Sequence, residues 1–158
     1  MEILLTTVLK KPPVVFYDEI SGGFDVTFDS ASNSGTQSGT PYTWNHTTAG
    51  SNRFLAVEIC SFAAAGEATV TALTYNGVSL SLIKSINQGT SKVELWGLAN
   101  PTIGTNTISV TLDSAQPSIG IAESYYNVNQ IAPIEGANTN SGSNLGAADS
   151  TVDITSTT

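Results

Sequence analysis

One cysteine, Cys60, and one histidine, His46, are all the thiol and imidazole that this 158-residue chain holds. A lone cysteine forms no internal disulfide, and a lone histidine leaves a zinc site without its usual second imidazole. Cations are nearly as scarce. Five Lys and Arg stand against thirteen Asp and Glu, for a net charge of −8, and no basic residue follows Lys92. Phosphate recognition needs a basic stripe, so nucleic acid is excluded as a partner. Charged residues make up only 11 % of the chain, well below the usual quarter or so. No apolar run approaches the roughly 20 residues of a membrane span, so no membrane insertion is expected. No window carries a 3.6-residue apolar stripe between caps, which predicts little helix.

What is present is Ser, Thr, Asn and Gly, together 66 of 158 residues, and a strong alternation of apolar with polar side chains. Phe24, Val26 and Phe28 alternate, then Tyr42, Trp44 and His46. Residues 53–62 put Leu55, Val57 and Ile59 on one side and Phe54, Ala56, Glu58 and Cys60 on the other. Residues 105–112 alternate with Ile108, Val110 and Leu112 inward, and residues 118–126 place Ile119, Ile121, Glu123 and Tyr125 on one face. Asn76-Gly77 between β-rich segments predicts a tight hairpin, because a type I′ turn needs positive φ at both positions. The stretch 30–41 is polar without apolar period and reads as a loop. About nine short strands at roughly ten-residue spacing predict an all-β fold, an antiparallel β-sandwich or jelly roll.

The first twenty residues stand apart. A secretory signal begins with positive charge, continues with an apolar stretch and ends at a small-residue cleavage site. Here Glu2 comes first, Lys10 and Lys11 come after the apolar stretch, and Pro12-Pro13 follow. The segment is expected to be an extended N-terminal arm, residues 1–20, ahead of a sandwich domain at 21–158. Its apolar residues Ile3, Leu4, Leu5, Val8, Leu9, Val14, Val15, Phe16 and Tyr17 are the candidate assembly contacts.

No constellation carries chemistry. Cys60 and His46 could in principle pair as nucleophile and base, but Cys60 follows a strand alternation and is expected in the core, as free cysteines commonly are. Gly35-Thr36-Gln37-Ser38-Gly39 has its serine in the wrong place for a nucleophile elbow. Asp25 and Asp29, like Asp18 and Glu19, are expected on solvated faces, since no loop has the carboxylate spacing of a calcium site. Trp44, Trp96, Tyr125 and Tyr126 are the candidate glycan-contact residues, with core packing as the competing role. Catalytic, cofactor and metal residues: none is expected.

From Phe24 onward the landmarks come in a recognisable order. They are Ser51-Asn52-Arg53-Phe54-Leu55-Ala56-Val57, Val70 to Leu80 around Asn76-Gly77, Val93-Glu94-Leu95-Trp96-Gly97-Leu98, Pro101 to Ile108, and Tyr126-Asn127-Val128-Asn129-Gln130 before Pro133-Ile134. This succession resembles a β-sandwich module recurring in bacterial surface proteins and in phage structural proteins (decoration, fibre and tail). The resemblance implies a non-enzymatic role in a virion, made in the host cytoplasm and exposed after release. Its implied partners are further copies of the chain, other virion proteins and, as a candidate ligand, a host-surface glycan. The alternative it leaves is a carbohydrate-binding or adhesin module of a larger bacterial surface protein. Such modules run on past a point equivalent to Thr158, so the sandwich is expected to be incomplete at its C-terminal edge, where Thr151 to Thr155 begin a strand-like run.

Overall fold

The computed structural model describes residues 25–62 and 68–134. The arm expected at residues 1–20 and the strand-like run expected at 151–155 lie outside the described residues. Among the described residues there are nine strands and no helix: β1 (Thr27–Gln37), β2 (Tyr42–Thr48), β3 (Phe54–Phe62), β4 (Val70–Tyr75), β5 (Val78–Ser79), β6 (Ser81–Gln88), β7 (Ser91–Ala99), β8 (Gly104–Leu112) and β9 (Ser118–Tyr126). Accordingly, no helix there is long and apolar enough to cross a membrane.

The strands form a five-stranded sheet, β1-β9-β3-β7-β6, packed on a four-stranded sheet, β2-β8-β4-β5, and all pairs are antiparallel. Beneath this order lies a nested hairpin. The first strand pairs with the ninth, the second with the eighth, the third with the seventh and the fourth with the fifth, and successive pairs alternate between the sheets. That is the winding of a jelly roll, with β6 added on the free edge of β7. Every strand from β1 to β9 therefore finds a partner within residues 27–126, and β1 takes β9.

Local sequence explains the elements. Asn76 and Gly77 have φ of 49° and 77°, the positive values a type I′ hairpin demands, and they join β4 to β5 through the Tyr75–Val78 pair. Leu55, Val57 and Ile59 of β3 meet Ile108, Val110 and Leu112 of β8 in the core, with Leu73 and Tyr75 of β4. Trp44, Trp96 and Leu98 pack against that cluster.

The expected loop at 30–41 is corrected for its first part, because β1 runs to Gln37. Its serines are inward strand residues. Ser30 and Ser32 turn toward the other sheet, where they hold His46 and the Trp44 indole, and Ser34 accepts the Gly120 amide of the neighbouring β9. A strand whose inner face is satisfied by hydrogen bonds carries no apolar period, so its sequence resembles a loop. Two register shifts in the β1–β9 ladder, at Phe28/Ser30 and at Asn33/Thr36, add to the disguise.

Candidate functional site

β3 and β9 lie side by side in the middle of the larger sheet, and their register decides what each side presents. Leu55, Val57, Ile59 and Ser61 face the core opposite Ser124, Ala122, Gly120 and Ser118. The other side pairs Phe54 with Tyr125, Ala56 with Glu123, Glu58 with Ile121 and Cys60 with Ile119. On β9 the bulky residues thus point outward and the small ones inward. The small inner residues make room for Trp44: a Cβ at Gly120 would sit 2.5 Å from its Cη2.

The consequence is an apolar outer face. Phe28 is 54 % exposed and Ile121 40 % exposed, and the Phe28 ring stands edge-on to Tyr125 at 5.9 Å between centroids. At the end of the face nearest Phe54, a groove of ≈ 190 Å³ is lined by Phe54, Ile83, Leu95 and Tyr125, by Glu58 and Glu123, and by Ile134 from the segment after β9. Phe54 is only 2 % exposed despite pointing outward. Gly97 allows this, since a Cβ there would meet Phe54 Cζ at 2.6 Å and Ile83 Cδ1 at 2.8 Å.

Two carboxylates sit in this apolar setting on a diagonal of the β3–β9 ladder, close enough to repel. Loss of solvent, and then the Glu123 charge, push the Glu58 carboxyl above its ordinary range. The Tyr125 hydroxyl donates to Glu123 Oε2 at 2.7 Å. Burial, that hydrogen bond and the Glu123 charge push the phenol up to about 12. The Cys60 thiol, on the same face, is raised by burial and by Glu58. These groups can recognise hydroxyls, amides or cations; paired carboxylates alone make no catalyst.

No protein-family model, curated protein or solved structure matches the chain.

The four aromatic candidates do not form one platform. Trp44 and Trp96 point inward against the core, and Trp44 donates its indole N–H to Ser32 Oγ at 3.1 Å. Tyr125 lies on the outer face, and Tyr126, the next residue along β9, points to the opposite side and packs over Gly50. The core reading thus replaces the glycan reading for both tryptophans, and Tyr125 alone of the four lines the groove. Cys60 is also corrected: it is half-buried on the outer face and not in the core. It alternates with the buried set Leu55, Val57 and Ile59, so period two puts it on the side away from the core.

Polar residues also hold the interior together. His46 is 1 % exposed; its Nδ1 lies 2.8 Å from Ser32 Oγ and its Nε2 3.5 Å from Ser30 Oγ. Ser32 Oγ also accepts the Trp44 N–H, so one hydroxyl joins the imidazole to the indole. Asp29 is half-buried, and its Oδ2 accepts the Ala49 amide at 2.7 Å and the Ser124 hydroxyl at 2.8 Å. Glu94, 3 % exposed on the inner side of β7, accepts the Val70 amide at 2.9 Å and pairs with Lys92 at 3.2 Å. Among the described residues no group of three or more His, Cys, Asp or Glu could hold a metal ion.

Proposed function

We propose that this chain is a non-enzymatic structural protein of a phage particle, a capsid decoration protein or a tail or fibre component that displays its sandwich on the particle surface. The single observation behind this reading is the apolar outer face of the larger sheet. A monomeric protein rarely leaves a broad apolar patch in water, and such patches mark interaction surfaces. Phe28, Ile121 and Phe62 are exposed on that side, while the opposite side already closes the core. The jelly roll is compatible with a capsid or lectin role, but the fold hosts many functions and the weight rests on the face.

The test is direct. Mass spectrometry of purified particles should find the chain, and immunogold labelling should place it outside. Ile121→Asp, which puts a charge on the face without entering the core, should lower its copy number in particles at least tenfold. Absence of the chain from particles would defeat the proposal.

A second reading, a carbohydrate-binding or adhesin module, is favoured by one feature: Tyr125 with Glu123 and Glu58 offers a ring and acceptors in one groove. It predicts a positive glycan array that Tyr125→Ala abolishes.

A further inference from the structure

The outer face of the larger sheet is built to match a second copy of itself. We propose that two copies of this chain pack outer face to outer face, about a two-fold axis that runs along the strands between β3 and β7. Each β6 then lies over β9 of the other copy. This rests on the reading of the face as a docking surface and names what docks there.

The rest of the described surface is guarded against such contacts. Among the outermost described strands, β5 is two residues long, β1 carries two register shifts and β6 carries one beside Lys84. On β2 the Thr47 carbonyl accepts the Ser30 and Ser124 hydroxyls, and at its end the Ala49 amide donates to Asp29. Short strands, bulges, lysines and covering groups all keep an edge from adding a foreign strand. The outer side of the smaller sheet is polar, with Thr43, Asn45 and Thr47 opposite Ser109, Thr107 and Thr105. The outer side of the larger sheet has neither protection. Phe28, Phe62 and Ile121 stand exposed there, and Val93 and Leu95 of β7 share that side.

Size and charge both suit a second copy. With the axis between β3 and β7, four strands of each copy overlap, an area about 19 Å wide and about 30 Å long for nine-residue strands. The two faces together lose about 1,100 Å², above the roughly 1,000 Å² that a specific interface needs. One row across the face runs Lys84, Leu95, Glu58 and Ile121, with Glu123 two residues further along β9. The cation therefore stands on one side of the axis and both carboxylates on the other. Rotation brings Lys84 of each copy over the Ile121–Glu123 stretch of its mate, twice in the dimer. Within one copy Lys84 makes no ion pair with either carboxylate among the described residues. An isologous interface requires this kind of self-matching surface.

Sedimentation equilibrium of the full chain at micromolar concentration should give twice the chain mass. Cys60 is the only thiol of the chain and lies on this face, on β3 beside the axis. A short bismaleimide should therefore join two copies through Cys60. Lys84→Glu and Glu123→Lys should each weaken the dimer at least tenfold. An equal mixture of the two variants should recover it as a heterodimer, because each contact again joins opposite charges, a rescue that general loss of structure would not give. A monomeric chain, a dimer that the bismaleimide does not join, or variants that mixing does not rescue would overturn the proposal. A monomer whose Ile121→Asp variant is still lost from particles would leave the face docked on another virion protein. A cross-linked dimer absent from particles would keep the pairing and defeat the particle reading, so the two failures separate.

Discussion

Substituting Gly120 by alanine adds one methyl group, and the structure says what it strikes. Its Cβ would stand 2.5 Å from Trp44 Cη2, 2.9 Å from Cζ3 and 3.1 Å from Ile59 Cδ1. Carbon atoms in good contact keep about 3.5–4.0 Å apart, so the indole must retreat by roughly 1 Å. It is not free to do so, because its N–H is bonded to Ser32 and its ring lies against the core. Overpacking of this kind costs about 1–3 kcal/mol, and losing the indole hydrogen bond adds about 1 kcal/mol. The lower backbone entropy of alanine in the unfolded chain returns about 0.5–1 kcal/mol. The expected net loss is about 2–3 kcal/mol, or roughly 8–12 °C in Tm for a domain of this size.

Urea unfolding followed by tryptophan emission and by far-UV dichroism measures this. Gly39→Ala is the control, since nothing lies within 4 Å of its added carbon, and it should change stability by less than about 0.5 kcal/mol. Trp44→Leu vacates the ring position, so Gly120→Ala on that background should cost less than about 1 kcal/mol, a coupling expected of neighbours in contact. Equal losses on both backgrounds, or none on either, would refute the steric argument.

Two further outcomes follow from the polar interior. Burial holds the His46 pKa below its ordinary value, with the Asp29 charge acting in the opposite sense. The unfolded chain therefore binds the proton first, so stability is full above about pH 6.5, the ordinary histidine value, and falls as pH drops through and below it. His46→Gln should flatten the slope between pH 5 and 7 in denaturant titrations, and an unaltered slope would exclude His46 as its source. Glu94→Ala should cost about 2–4 kcal/mol, because it leaves the Val70 amide and the buried Lys92 ammonium short of an acceptor; Lys92 keeps Thr69 Oγ1 at 2.9 Å, and Glu94→Gln, which retains an acceptor for Val70, should recover part of that loss.

Much of the architecture is legible in side-chain alternation. Most of the nine strands, the Asn76-Gly77 hairpin and the inward residues of β3 and β8 follow from period two and turn chemistry. Alternation says which residues share a face, however, and not which face meets the core. On β3 the branched set Leu55, Val57 and Ile59 is inside, as hydrophobicity suggests. On β9 the branched set is outside, so alternation groups the members of the apolar outer face without showing its direction. Ser30 and Ser32 read as loop residues because their hydroxyls are satisfied by His46, which lies sixteen and fourteen residues away. Glu94 was equally hidden, for its partner Val70 belongs to the other sheet.

The direction of β9 has a steric origin. A one-residue slip of a strand moves every side chain to the opposite face. Such a slip in β9 would bring Ile119 or Ile121 inward and remove branched aliphatic surface from water, which hydrophobicity favours by about 1.5–3 kcal/mol for each full side chain. The position they would occupy is filled by Trp44, which leaves no space even for the single carbon of an alanine. Trp44 in turn is fixed through Ser32 to His46, so the polar cluster between β1 and β2 selects the register of β9. The inner serines and the outer isoleucines are thus two results of one packing choice. A sheet held in this register must present Ile119, Ile121 and Tyr125 outward, and the apolar face persists for as long as the His46 cluster is intact.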